Sequence, residues 1–455
     1  MKILRVLLFS LIIFGLFSIQ AIAETHRINP TSLRSLVLKQ NTSVLLGLNQ
    51  VHQAKAQLNL ARASLLPGVS LALSQPSGQP SFILSSVSIL MPFLLPSNWF
   101  NLSKTKAMLR AEEAAYRLVQ LNAYASVYSM YNTMSGDFQI REALWQQYQD
   151  LKSIAYILEQ QDKLTGAADP KDLAMARAQA ELARLQVSQM DELLVKEKAA
   201  LRHALGLALE DEIIFENAQV PESDFENQDM ITVAQRSLEV APENVQIDQM
   251  VIAAKKDFWA KTFSFLTGAT LSAQAYNSGG QMHSAAFSSL SEVGTASFSF
   301  GQFPMMELAS NNKDQLLIRK KEVQLQMNQI VESALGSLDE VRKQVGYAEY
   351  AEKNYIIAYN IELERYRLGI NDVSKVLYAK RDVSTATLAK IRVMVDLGQQ
   401  RINLHRIGLT DQFAEVKGCA QLPSESVDSK GGLLKALRGI FKPSEEVNLV
   451  KLCQN

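Results

Sequence analysis

The pattern of apolar and polar positions predicts long amphipathic helices over most of the chain. Two stretches carry apolar residues at intervals of three, four or seven positions, which places them on one face of a helix. They are Val187, Met190, Leu194, Leu201 and Leu205 in the first stretch, and Leu388, Ile391, Val395 and Ile402 in the second. The intervals are typical of coiled coils, and an ordinary helical bundle would show them too.

The distribution of proline indicates how long these helices are. Residues 97–169 and 305–422 contain no proline, and proline-free stretches rich in Ala, Leu, Gln, Glu, Lys and Arg favour helix. We predict helices over about 99–164 and 305–368, each on the order of 100 Å long at 1.5 Å per residue. Each is followed by a helix of roughly 40 residues, so the object is elongated, hollow or fibrous.

Short turns connect each long helix to the helix that follows it. The first turn is Gly166–Pro170 and the second is Gly369–Asp372. Gly166 suits a helix C-terminus, Asp169 an N-cap and Pro170 the first helical position. The sequence therefore predicts two helical hairpins with defined tips.

Four segments outside the helices alternate apolar residues with small or polar ones, which predicts β-strands. They are Gly68–Ser74, Ser86–Ile89, Gly268–Tyr276 and Thr295–Phe300. Their lengths approach the roughly nine to eleven residues of a membrane β-strand. Two soluble hairpins that cap a helical bundle are the alternative. Trp99 and Phe100, next to the second strand, lie either at a membrane interface or packed at the junction with the helices.

The chain repeats its pattern about 200 residues later. Val51, Ala54, Lys55, Leu66 and Gly68 recur as Val251, Ala254, Lys255, Leu266 and Gly268. We predict two structural repeats, over 24–230 and 231–410, and a tail over 411–455. Each repeat consists of a helix, a β-hairpin (about 68–92 or 268–303), a long helix, a tip and a further helix. The expected fold class is mixed α+β, mostly α.

The N-terminus is typical of a secretory signal peptide over residues 1–23. Lys2 and Arg5 precede an apolar run, and small residues lie before Glu24. A single membrane anchor is the alternative, although the run is shorter than the roughly 20 apolar residues that a spanning helix needs.

The composition argues against nucleic-acid binding and against enzymatic chemistry. The chain has 46 basic and 46 acidic residues, whereas phosphate binding needs a basic surface. We find no zinc-protease helix, phosphate loop or nucleophile elbow, and therefore expect no enzyme, cofactor or metal site. The two cysteines, Cys419 and Cys453, form either a disulfide or two free thiols in an exported protein.

Four strands are too few to seal a membrane barrel, since the smallest single-chain barrels have eight. An open sheet edge in lipid leaves backbone groups unpaired, at several kcal/mol for each group. Copies of the chain must therefore share their strands if these strands enter a membrane. Three copies would form a homotrimer with a twelve-stranded barrel.

Around its two predicted tips the sequence resembles outer membrane efflux proteins of the TolC family. The residues that carry the resemblance are Gly166-Ala167-Ala168-Asp169-Pro170-Lys171-Asp172-Leu173 and Tyr366-Arg367-Leu368-Gly369-Ile370-Asn371-Asp372-Val373. The similarity extends from about Asn29 to Gly408. It implies a trimer with a twelve-stranded transmembrane β-barrel in outer-membrane lipid and a long α-helical coiled-coil barrel in the periplasm.

The resemblance also implies a function. The chain would be the passive exit duct of a tripartite efflux or type I secretion system, opened at its periplasmic helix tips by an adaptor (membrane fusion) protein that serves an inner-membrane pump. A periplasmic coiled-coil structural or adaptor protein that does not span a membrane is the alternative. The sequence does not identify the cargo.

Site residues follow from the resemblance at matching positions. The gate would include Asp172, Tyr366, Asn371, Lys375 and Tyr378, with a hydroxyl-to-carboxylate latch between Tyr366 and Asp172. Asn371 replaces a partner arginine, and Lys375 and Tyr378 replace two aspartates that line the constriction in many relatives. Because lysines repel cations, we expect cation preference and divalent-cation block to be weakened. The adaptor-docking tips would be Gly166, Arg367, Leu368 and Gly369.

Overall fold

The computed structural model describes residues 25–74, 83–165, 169–216, 219–275, 287–296 and 299–416. The predicted signal peptide, the tip residue Gly166, Cys419, Cys453 and the tail beyond residue 416 lie outside these ranges. What the sequence predicts for them stays a prediction.

The described chain is mostly helical. Its helices are α1 (Pro30–Gln40), α2 (Thr42–Ala63), α3 (Pro96–Thr165), α4 (Pro170–Leu205), α5 (Met230–Val240), α6 (Pro242–Thr262), α7 (Gln302–Arg367) and α8 (Val373–Gly408). The two long helices, α3 and α7, contain 70 and 66 residues, and their bounds lie within three residues of the predicted ones. Among the described helices, none is both long and apolar enough to cross a lipid bilayer.

Local sequence explains where several of these helices begin. Pro96, Pro170 and Pro242 each occupy the first helical position, where the missing N–H is not needed for an intrahelical hydrogen bond. Asn41 caps α2, because its side chain accepts hydrogen bonds from the backbone N–H groups of Ser43 and Val44.

Six strands in the described ranges form two sheets. The strands are β1 (Thr25–Ile28), β2 (Gly68–Ser74), β3 (Ile83–Leu90), β4 (Glu212–Phe215), β5 (Leu266–Ala275) and β6 (Phe287–Ala296). β1 and β4 pair in parallel. The other four form one antiparallel sheet in the order β2-β3-β5-β6, so the two hairpins meet through β3 and β5, and β2 and β6 are the edge strands.

The last strand lies earlier in the chain than the alternating segment at 295–300 indicated. β6 ends at Ala296, and residues 300–301 form a turn before α7. Residues 297–298 lie outside the described ranges. The pairing with β5 runs from Ala275 opposite Phe287 to Leu266 opposite Ala296, so it places the start of β6 eight residues before the predicted segment.

The structure divides into two compact units, and several helices contribute to both. The first unit comprises residues 25–40, 127–219 and 350–392 of the described chain. In it, the apolar stripes of α4 and α8 pack against α3: Val187 and Ile391 share a buried cluster with Ile140 and Leu144.

The second unit comprises residues 41–126, 220–349 and 393–416, and it contains the four-stranded sheet. It also contains the buried carboxylate of Glu226, whose side chain is 1% exposed and pairs with Arg401 of α8 at 3.0 Å and with Arg342 of α7. Two arginines satisfy this carboxylate, as a buried charge requires, and the pairs connect both helices to the turn that carries Glu226.

Candidate functional site at the helical tips

The candidate site is the tip region, which we define as the described residues of 148–183 and 359–381. It contains the end of α3, the start of α4, the end of α7 and the start of α8, all within the first unit. Two helical hairpins therefore end in this unit, each at a short turn.

The turn between α7 and α8 has a geometry that requires glycine. Gly369 has a φ of 69°, in the left-handed region that glycine adopts without steric strain. Its N–H donates to the carbonyl of Tyr366 at 2.9 Å, and the N–H of Ile370 donates to the carbonyl of Arg365 at 2.9 Å. This pair of hydrogen bonds is the Schellman motif, which closes the C-terminus of α7.

On the first hairpin, the described part of the turn starts α4. The Asp169 side chain accepts a hydrogen bond from the backbone N–H of Lys171 at 2.8 Å, and Pro170 follows the cap. Asp172 lies in the first helical turn, where the helix dipole favours a negative charge.

A cluster of small and aliphatic side chains packs beneath the tips. Its buried members are Tyr148, Leu151, Ala155, Leu158, Ala176, Ala180, Ala183, Val373 and Leu377. Three of them are alanines of α4 at intervals of four and three, so this helix presents a narrow face to its neighbours. Tyr366 and Leu173 pack against the cluster, so one predicted gate residue is anchored in the apolar core.

The two predicted latch residues lie close enough to influence each other. Burial raises the pKa of Asp172, and the nearby carboxylates of Asp169 and Asp372 raise it further. Burial also raises the pKa of Tyr366, with a second contribution from the charge of Asp172. Tyr366 therefore keeps its proton and stays a hydrogen-bond donor. Within the described residues of this single chain it makes no direct hydrogen bond to Asp172, and the latch stays a prediction.

The remaining predicted gate residues contact side chains on α7 and α8. The Asn371 amide donates to the Glu362 carboxylate, and its oxygen accepts a hydrogen bond from the Lys375 ammonium at 3.2 Å. Tyr378 is 43% exposed and lies under the Arg381 guanidinium at 5.3 Å from the ring centroid. Lys375 is exposed and adds a positive charge to this surface.

Among the predicted docking residues that the structure describes, Leu368 is an exposed apolar side chain and Arg367 an exposed charged one. Leu368 is 73% exposed, and two further apolar side chains of the tip region that we did not predict, Ile370 and Leu164, are 67% and 81% exposed. Arg367 forms an ion pair with Glu364 at 2.6 Å on the same surface. The tips thus offer apolar side chains with charges beside them.

Ion pairs between helices also stabilise the tip region, and sequence reasoning missed them. Lys380 of α8 contacts Asp150 of α3 at 2.5 Å, and Arg177 of α4 contacts Glu159 of α3 at 3.0 Å. Outside the tip region, Glu352 of α7 accepts hydrogen bonds from Thr387 at 2.8 Å and from Lys390, both on α8. No local pattern marks these residues, because each pair depends on how two helices align.

The comparisons with known proteins agree with this architecture. Residues 33–207 match the family model described as outer membrane efflux protein. A search of curated proteins found no match.

Solved structures share the fold over most of their length. A membrane protein from Pseudomonas aeruginosa has 19% identity and a TM-score of 0.71, with 83% of this chain and 92% of that chain covered. The Campylobacter jejuni CmeC outer membrane channel has 18% identity and a TM-score of 0.66, with coverage of 85% and 88%. The outer membrane protein VceC from Vibrio cholerae has 15% identity and a TM-score of 0.69, with coverage of 83% and 96%.

Long helical hairpins joined to one antiparallel sheet define a protein with the fold of outer membrane channels. The resemblance to TolC-type outer membrane efflux proteins is confirmed by the family match together with these structural neighbours. The matched family and the solved channels are transport proteins rather than enzymes.

Proposed function

We propose that this chain forms a homotrimeric outer-membrane channel, the passive exit duct of a tripartite efflux or type I secretion system. An adaptor protein opens it at the periplasmic helix tips, and an inner-membrane pump provides the energy. The family match supports the efflux role. The alternative of a periplasmic coiled-coil protein that never spans a membrane is less well supported, because the solved neighbours include outer membrane channels.

The observation that carries the proposal is the open four-stranded sheet. Its edge strands, β2 and β6, each have a neighbour on one side only within the described sheet. The strand directions alternate from β2 to β6, so β6 of one copy can pair antiparallel with β2 of the next. Three copies joined in this way make a closed barrel of twelve strands, in which no edge is exposed to lipid.

The tip region is the proposed gate and the docking surface. The Schellman turn at Gly369 and the apolar side chains beside it give an adaptor a rigid, exposed contact. Tyr366 and Asp172 form the proposed latch, and Lys375 and Tyr378 line the proposed constriction. A ring of three lysines disfavours cations at such a constriction.

The first experiment tests the channel itself. The full chain is expressed with its signal peptide, the outer-membrane fraction is isolated, and samples are run on denaturing gels with and without heating. We expect a heat-modifiable trimer that needs detergent and conducts ions in planar bilayers. A soluble monomer in periplasmic extract would instead support the alternative function.

The second experiment tests adaptor docking. Leu368→Cys places a reactive thiol on the exposed tip, and Val195→Cys is the matched control, since Val195 is 69% exposed on α4 outside the tip region. Cross-linking to an adaptor is expected only from the Leu368 position. Equal cross-linking from both positions would argue against tip-specific docking.

A further inference from the structure

Aromatic and lysine side chains lie at the end of the four-stranded sheet where its strands connect to the helices. The strand register defines this end of the sheet: Gly68 aligns with Leu90, and Leu266 aligns with Ala296. These residues are the strand ends that connect to α2, α3, α6 and α7. All four connections therefore leave the sheet at the same end. If the sheet crosses the membrane, this end of the sheet lies at the periplasmic surface of the lipid.

Four aromatic rings at this end of the sheet form one connected group, and two more lie on the chain segment just before and at the start of α3. Phe100 of α3 stacks on Trp259 at 6.4 Å and on Phe263 at 5.6 Å, and Phe258 contacts Trp259 edge-on at 5.6 Å. The indole N–H of Trp99 donates to the carbonyl of Phe93 at 2.8 Å. We call these residues, with the lysines described next, the collar.

Several collar rings are exposed although they are large and apolar. Trp99 is 52% exposed, Trp259 46% and Phe93 42%. Tryptophan concentrates at membrane interfaces because its ring is apolar and its N–H is polar. Exposed clusters of this kind on a protein surface mark an interaction site.

The charges beside the rings are mainly positive. The helix ends over 96–106, 255–262 and 302–314 carry six lysines, namely Lys104, Lys106, Lys255, Lys256, Lys261 and Lys313, and three acidic residues, namely Asp257, Glu307 and Asp314. The Lys256 ammonium lies 6.0 Å from the Phe100 ring centroid, and Lys313 lies 5.8 Å from that of Phe258. Lys104 forms an ion pair with Asp257 at 2.8 Å, and Lys313 forms one with Asp314 at 3.3 Å.

We propose that the collar binds anionic phospholipid headgroups, of the phosphatidylglycerol type, in the leaflet of the outer membrane that faces the periplasm. The rings insert at the level of the headgroups, and the lysine ammonium groups contact the phosphates. Lysine near an anionic lipid surface adds favourable free energy, and the aromatic rings fix the depth of the sheet in the bilayer. The proposal rests on the proposed function, because it needs the sheet to be in a membrane.

The tryptophans of the chain provide a direct test. The three are Trp99 and Trp259 in the collar and Trp145 on α3, and the path along α3 from Trp99 to Trp145 is about 70 Å at 1.5 Å per residue. Trp145→Phe leaves only the collar tryptophans, and the double variant Trp99→Phe/Trp259→Phe leaves only Trp145 as the matched control. Each purified trimer is reconstituted into vesicles of phosphatidylcholine and phosphatidylglycerol in which one or the other lipid carries bromine, a contact quencher of tryptophan fluorescence.

The expected result is strong quenching of the collar tryptophans, because rings at the membrane interface contact lipid, with brominated phosphatidylglycerol more effective than brominated phosphatidylcholine. The Trp145 control should be unquenched.

Equal quenching by the two lipids would overturn the anionic preference while leaving the membrane channel intact. Unquenched collar tryptophans in a conducting trimer would overturn the proposal, because a neighbouring copy would then cover the collar. Unquenched tryptophans in a protein that neither trimerises nor conducts would contradict the proposed function.

A second set of variants isolates the lysines. Lys106→Gln/Lys256→Gln/Lys261→Gln, made in the Trp145→Phe background, should reduce the preference for phosphatidylglycerol, on the order of fivefold per lysine at most, without reducing quenching in pure phosphatidylcholine. The control Lys163→Gln/Lys196→Gln/Lys343→Gln removes three exposed lysines that pair within their own helices and should leave the preference unchanged. An equal effect of both triple variants would show that net charge, and not the collar, selects the lipid.

Discussion

The ion pair between Lys380 and Asp150 offers the sharpest test of the proposed gate. The Lys380 ammonium lies 2.5 Å from the Asp150 carboxylate, and the two side chains are only 15% and 31% exposed. The same ammonium is 5.2 Å from the Tyr359 ring centroid. Because the pair connects α8 of the second hairpin to α3 of the first, it resists any opening that separates the two hairpins.

The partial burial of the pair determines the size of the effect. An exposed ion pair contributes about 0.2–1 kcal/mol, and breaking a fully buried one costs about 3–5 kcal/mol. We expect about 2 kcal/mol per protomer for this half-buried pair, which corresponds to roughly a 30-fold shift toward the open state if the pair exists only when the tip is closed.

The perturbation is Lys380→Met, which removes the charge and keeps an unbranched apolar stem against Tyr359. In planar bilayers without adaptor, we expect the open probability of the variant to rise by at least about 30-fold, which is the effect of losing the pair in one protomer of the trimer, or until it saturates. Asp150→Asn should have the same direction, and the double variant should show less than the sum of the single effects. Lys380→Arg keeps the positive charge and should stay closed.

The control is Lys196→Met. Lys196 pairs with Glu192 at 2.5 Å on the surface of α4, where both side chains are more than 60% exposed, so its loss should change the open probability less than about twofold. If Lys380→Met is fully folded by circular dichroism and conducts no more than this control, the pair does not hold the tip closed and the reasoning is wrong.

Three further predictions concern selectivity, stability and pH. Lys375→Asp should convert the proposed constriction to a cation-preferring one, measured as the reversal potential in a salt gradient. Gly206→Ala should destabilise the protein by at least about 1–2 kcal/mol, measured by denaturant unfolding, because Gly206 has a φ of 71° and a Cβ there would lie 2.4 Å from the Gln40 carbonyl oxygen. Burial raises the pKa of Glu197 from 4.5 to about 8, and a hydrogen bond with Asp137 and the charge of Asp137 raise it further toward that value. Between pH 4.5 and pH 8 the folded state therefore holds one more proton than the unfolded state. The free energy of unfolding should fall as pH rises through this range.

Each of these predictions has its own control or contradicting result. A Lys375→Asp channel that keeps the wild-type reversal potential would exclude this side chain from the constriction. Gly369 has a similar φ of 69°, but a Cβ added there would have no atom within 4 Å. Gly369→Ala should therefore lower the free energy of unfolding by less than Gly206→Ala does. Equal losses would contradict the role of the Gln40 contact. Glu197→Gln should remove the fall in melting temperature between pH 5 and pH 8, and an unchanged slope would assign the titration to other groups.

Features that depend on neighbouring residues were predictable from the sequence. The bounds of α3 and α7 follow from proline positions and helix propensity, and the turn at Gly369 follows from glycine before an asparagine and an aspartate. These signals act over a few residues, through φ angles and capping hydrogen bonds. The strands were less predictable: β6 begins at Phe287, eight residues before the alternating segment at 295–300, because its pairing with β5 sets where it starts.

The tertiary structure alone decided which distant residues meet. The sheet joins its hairpins through β3 and β5, whose residues are more than 150 positions apart, and Glu226 lies between Arg342 and Arg401. The Lys380–Asp150 pair likewise depends on the register between α8 and α3. The sum of many apolar contacts along helices and strands sets such registers, and a shift of one residue would separate every pair. Local sequence therefore determines where the helices and turns lie, whereas packing over the full length of the helices determines which charges hold the tips together.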